Sequence, residues 1–140
     1  MDVKEVRKLD AYLKRVFSNP LIRVVPHQKK NDSADVFIGD ELIAVLFVDD
    51  EDGDHSYQFE MSIKNLNGVG KLDPSGVRKL DAHLKKVFGN PKIRAVPRQK
   101  KNDSADVFIG DEFIAVLFVD DDNSYQFEMS ILEEDLADQA

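Results

Sequence analysis

Six consecutive residues, Asp49-Asp50-Glu51-Asp52-Gly53-Asp54, put five carboxylates on one turn, and clustered carboxylates are what a calcium loop uses. The spacing argues against calcium. With Gly53 at the sixth position of a twelve-residue loop, positions one and twelve fall on Val48 and Phe59, which carry no ligand oxygen in their side chains. The later counterpart, Asp120-Asp121-Asp122-Asn123, has no glycine at all. No metal or other cofactor is expected, and the charges read as a hairpin turn that keeps a very apolar pair of strands soluble.

Histidine is the commonest general base, and the chain has three: His27, His55 and His83. Each stands opposite a different residue type in an internal repeat (Arg98, Asn123 and Tyr12), so no base is shared between the two copies. Lys29-Lys30 and Lys100-Lys101, with Arg23 and Arg94 nearby, do recur, and these six residues are where an anion such as an RNA phosphate would sit. A helix followed by strands with a basic loop resembles the order of double-stranded-RNA modules, but their closing helix is not evident after Ile63. Ser33 with Lys29, and the tip carboxylates Asp40/Glu41 and Asp111/Glu112, lie in turns where a pocket is not expected. There is no Gly-rich phosphate loop, nucleophile elbow or metal-binding His pair. No catalytic residue is assigned and the chain is not expected to be an enzyme.

Composition narrows the classes further. Over 140 residues, 42% are hydrophobic and 33% charged, as in a soluble globular chain. Lys and Arg number 19 against 27 Asp and Glu, a net charge of −8 that opposes adhesion to nucleic acid or anionic lipid. The absence of Cys removes disulfides, thiol catalysis and Cys-based metal sites. The longest apolar run, Leu42 to Val48, is far too short to span a bilayer, and the opening Met-Asp-Val-Lys-Glu-Val has no signal-peptide character. A cytoplasmic location, with no membrane partner, is the expectation.

The elements that would position these residues are written twice. Residues 6–50 align with 77–121 and residues 56–63 with 124–131, giving 46 identities in 53 aligned positions. The seven differences are Tyr12/His83, Arg15/Lys86, Ser18/Gly89, Leu21/Lys92, Val24/Ala95, His27/Arg98 and Leu42/Phe113. Each copy opens with a helix whose apolar residues (Val6, Leu9, Leu13, Val16, Phe17) recur every three or four, with Asp2 and Asp73 as N-caps and Pro74 at a first helical position. Ser18-Asn19-Pro20 and Gly89-Asn90-Pro91 stop the helices. Strands follow over Ile22–Val25, Ala34–Ile38, Leu42–Val48 and Ser56–Ile63, with Gly39-Asp40 as a two-residue hairpin turn. The fold class is α+β: two tandem α-β-β-β-β units, residues 1–66 and 73–140, joined by a Gly-rich linker over 67–72. A natural duplication and an engineered single-chain dimer would look alike, with engineering slightly favoured.

One strand does not alternate. Leu42, Ala44, Leu46 and Val48 are expected on one side, and Ile43, Val45 and Phe47 on the other, although the helix can cover only one. Leaving the second set in water would forgo about 1.5–3 kcal/mol each, about 5–9 kcal/mol together. The expectation is that the copies pack through their sheets about a pseudo-twofold axis, with Ile43, Val45, Phe47, Ile114, Val116 and Phe118 as the seam of a fused dimer.

The segments Phe88-Gly-Asn-Pro-Lys-Ile-Arg94, Lys100 to Glu112 and Ser124 to Leu132 resemble a short alphaproteobacterial family of unknown function, about one repeat long. The resemblance covers nearly the whole chain twice, whereas members usually carry one copy. It implies a small bacterial cytosolic protein and supplies no activity, cofactor or catalytic residue.

The sequence reading is therefore a non-enzymatic structural or interaction module whose partner is its own second copy, with further self-association left open. The alternative is a protein that binds an anionic ligand such as RNA through the paired Lys loops. Steep loss of binding with added salt is its signature.

Overall fold

The computed structural model describes residues 1–27, 32–49, 56–64, 72, 74–98, 101–119 and 124–136, with only the backbone of 101–103. The first repeat runs α1 (Val3–Phe17), β1 (Ile22–Pro26), β2 (Ser33–Ile38), β3 (Glu41–Asp49) and β4 (Ser56–Ile63). The second runs α2 (Pro74–Phe88), β5 (Ile93–Arg98), β6 (Lys101–Ile109), β7 (Glu112–Val119) and β8 (Tyr125–Leu132), followed by a single turn, α3 (Glu133–Leu136). The protein is α+β and built of two tandem α-β units, with antiparallel ladders joining β1 to β2, β2 to β3 and β3 to β4, and likewise β5 to β6 to β7 to β8.

Local chemistry sets the helix ends. Asp2 accepts the Glu5 N–H at 2.8 Å while the Glu5 carboxylate accepts the Asp2 N–H at 3.1 Å, a reciprocal capping box. Pro74 does begin α2, and Asp73 lies outside the described residues. Ser18 ends α1 in the left-handed region at φ 51°, and Gly89 stands at the same place in the second copy at φ 59°.

The compact units do not follow the repeat boundaries. One consists of Met1–Glu60 together with Ser130–Ala140, the other of Met61–Met129. In the first unit, Leu9, Leu13 and Phe17 of α1 are buried with Ile22, Val24, Ala34, Val36, Ala44, Leu46, Tyr57 and Phe59. To these it adds Ile131 and Leu136, both buried, with α3 against α1. β4 lies beside β8 in the strand order, and within this unit Gln58 Nε2 donates to Ser130 Oγ at 2.8 Å. In the second unit, Leu80, Leu84 and Phe88 are buried with Ile93, Val107, Leu117 and Phe127, and Met61 and Ile63 from the end of the first repeat and Leu72 from the segment after it are buried there too. Within it Gln126 Nε2 donates to Ser62 Oγ at 2.6 Å.

One expectation about β3 needs correction. Val36 pairs with Ala44 but Phe37 pairs with Leu42, because the ladder shifts register between them. This bulge inserts one extra residue on β3 and turns Leu42 off the helix-covered face, leaving it 55% exposed. The same shift between Val107 and Phe108 leaves Phe113 53% exposed.

The buried Tyr57 hydroxyl donates a hydrogen bond to the Glu5 carboxylate at 2.6 Å, tying β4 to the capping box of α1. Burial first, and the Glu5 carboxylate second, push its phenol well above the ordinary value near 10. A raised phenol is a stabilising proton: the contribution is complete below the unfolded-state value and is lost as the pH climbs past it. Tyr57→Phe is expected to cost about 1–2 kcal/mol near neutral pH. The gap to the parent should narrow above about pH 10, where only the parent must give up the buried proton on unfolding. Urea titrations of both proteins at pH 8 and pH 11 check the sign; a gap that widens in alkali would refute it.

Candidate functional site

The helix covers one face of each sheet, so chemistry accessible to a partner lies on the other. In the first unit that face carries Arg23, Val25 and His27 from β1 and the residue after it, Ser33, Asp35 and Phe37 from β2, and Val45 and Phe47 from β3. The six residues expected to form a seam, Ile43, Val45, Phe47, Ile114, Val116 and Phe118, are all half-buried, between the fully buried Ala44 and Leu46 in one copy and Ala115 and Leu117 in the other.

The most reactive arrangement on this face is one that spacing along the sequence did not suggest. Pairing of Pro26 with Ala34 brings His27 across from Ser33 and next to Asp35. His27 Nδ1 lies 2.5 Å from Ser33 Oγ and Nε2 lies 2.6 Å from Asp35 Oδ1. A carboxylate only accepts, so Nε2 donates toward Asp35, while the direction of the Nδ1–Ser33 contact follows the ring's tautomer. These are the residue types of an acyl-transfer triad, but Ser33 is only 8% exposed. The second copy makes the same contacts without a base: Arg98 Nε donates to Asp106 Oδ1 at 3.0 Å and Nη1 to Ser104 Oγ at 3.3 Å. What the two copies share is a clasp from the end of the first strand to the second strand, satisfying a buried hydroxyl and a half-buried carboxylate. The legible signal was the exchange of His for Arg, each with two or more ring or guanidinium nitrogens that can meet a carboxylate and a hydroxyl at once.

The basic residues are partly committed elsewhere. Arg23 donates through Nε at 3.3 Å and Nη2 at 2.8 Å to the Gly39 carbonyl, its guanidinium 5.0 Å from the Phe37 ring centroid. Arg94 repeats this with Gly110 O at 2.9 Å and Phe108 at 5.1 Å. Both arginines therefore fasten the hairpin turn, where Gly39 and Gly110 adopt φ 61° and 60°. Lys29, Lys30 and Lys100 lie outside the described residues, and the Lys101 side chain is not among those described. His55 and the acidic turns at 50–54 and 120–123 are outside them as well, while His83 is half-buried on α2. Among the described residues no three His, Cys, Asp or Glu side chains cluster as a metal would need.

A family model described as "Protein of unknown function (DUF3126)" matches residues 5–66 and again residues 76–135. No curated protein and no solved structure matches the chain. Among the described residues no helix is long and apolar enough to cross a membrane.

Proposed function

The chain belongs to the DUF3126 family, in two tandem copies, and from that premise we propose that it is a non-enzymatic structural module whose copies complete one another through their sheets. The observation that carries this reading is the composition of the compact units: Ser130–Ala140 of the second repeat goes with Met1–Glu60, and the end of the first repeat goes with the second. The hydrogen bonds of β4 and β8 support it. Gln58 to Ser130 and Gln126 to Ser62 are the same contact made with the copies exchanged, the signature of an isologous pairing. Pairing of this kind runs along strand edges, so the six residues expected as a face-to-face seam are not required for it.

The non-enzymatic part rests on the His27 cluster. Catalysis by a repeated site would need the base in both copies, and in the second copy a guanidinium, Arg98, makes the same clasp in place of the imidazole. Binding of an anion through the Lys loops is the weaker reading, since Arg23 and Arg94 are spent on their own turns and the net charge is −8.

A protease site inserted between Asn67 and Gly70 tests the pairing. After complete cleavage the two fragments are expected to co-elute on size exclusion with the mass of the intact chain, and to separate only in denaturant. Fragments that part without denaturant would refute it.

A further inference from the structure

The border strand of a sheet carries backbone N–H groups that face away from its neighbour, a ready template for adding another strand. β1 is the border strand of the first unit and β5 of the second. In β1 the odd-numbered positions face β2, because Gly39 N–H donates to Leu21 O at 3.1 Å and His27 N–H to Ser33 O at 3.4 Å. The outward positions are therefore 22, 24 and 26. Ile22 N–H donates to Asn19 O at 3.4 Å, Val24 N–H to Asp10 Oδ2 at 3.0 Å, and Pro26 has no N–H to give.

The second unit repeats the arrangement. Gly110 N–H donates to Lys92 O at 3.1 Å, so positions 93, 95 and 97 face outward. Ile93 N–H donates to Asn90 O at 3.4 Å, Ala95 N–H to Asp81 Oδ1 at 2.8 Å, and the third position is Pro97. In each helix the other carboxylate oxygen is held by the lysine one turn on, Lys14 or Lys85. An incoming strand would have to displace a charge-assisted hydrogen bond at its central position and would find no donor at the next.

We infer that Asp10 with Pro26, and Asp81 with Pro97, are a built-in block on strand addition that keeps both border strands from pairing with a second copy of this chain. Each edge is closed within its own unit by a helix residue that reaches over it. The device survives the Val24/Ala95 difference because it acts through the backbone N–H and not the side chain.

The test compares full-length variants by light scattering over a range of concentrations. Asp10→Ala/Asp81→Ala and Pro26→Val/Pro97→Val are each expected to raise the apparent mass at least twofold over the parent at high concentration, with new amide-exchange protection at the outward positions of β1 and β5. Asp10→Asn/Asp81→Asn keeps the acceptor oxygen and is expected to hold the parent's mass. If the alanine variant loses its circular dichroism signature, the proline variant decides, since Pro26 and Pro97 are exposed. A folded variant whose mass stays at the parent's value, or rises without protection at those amides, overturns the inference.

Discussion

A chain ending at Met129 should lose the structure of residues 1–60 before that of the repeat from which the segment was cut. Ser130–Ala140 belongs to the first compact unit, where Ile131 is fully buried and Leu136 only 3% exposed. Withdrawing those two side chains removes about 1.5–3 kcal/mol each, about 3–6 kcal/mol together. Against a domain stability of about 5–15 kcal/mol, that is a large share of the unit's margin. Gln58 also loses the Ser130 hydroxyl, and α1 loses the turn packed against it. Amide exchange read by mass spectrometry checks the outcome. Protection should fall first in α1, β1 and β2 and persist in α2, β5 and β6. Loss confined to residues 74–129 would show that the segment serves its own repeat.

Phe59→Ala is the second large effect. The ring is fully buried, with its centroid 6.0 Å from that of Phe17, so it joins the last strand of the first repeat to the helix that covers it. Truncation leaves a cavity lined by residues on rigid elements, at a cost of about 3–5 kcal/mol. Phe127→Ala should cost about the same in the second unit, where Phe88 and Phe127 stand 5.9 Å apart. Denaturant midpoints measured for both variants at unchanged slope provide the check; a loss under about 1 kcal/mol for either would mean that the site collapses around the missing ring.

Much of the fold was legible because it is local. The spacing of four from Leu9 to Leu13 to Phe17, the cap at Asp2 and the stop at Ser18-Asn19-Pro20 each act within a few residues. The Gly39 turn was visible for the same reason. What the sequence hid depends on register or on distance. Nothing in the Leu42–Val48 run announces the extra residue that turns Leu42 outward, since the run is apolar on both sides of the bulge. α3 was missed because Glu133-Glu134-Asp135 offers one apolar residue after it, too short a pattern to carry a period. The Ser33–His27–Asp35 cluster needed the pairing of β1 with β2 before a six-residue separation became a contact. That Ser130–Ala140 of the second repeat belongs to the first compact unit lies beyond any local signal.

The seven differences between the copies also find a place. Tyr12/His83, Arg15/Lys86 and Ser18/Gly89 lie at half-buried or exposed positions of the helices and their ends, and Leu21/Lys92 and Leu42/Phe113 are exposed. His27/Arg98 changes the clasp to Asp35 or Asp106, and only Val24/Ala95 touches a core, by two methyl groups.

That exchange of tails has a consequence for inheritance. A change in the closing residues of either half is felt by the folding of its sibling, so neither half can wander alone. A substitution at Ile131 or at Met61 would be read out in the core of the other repeat.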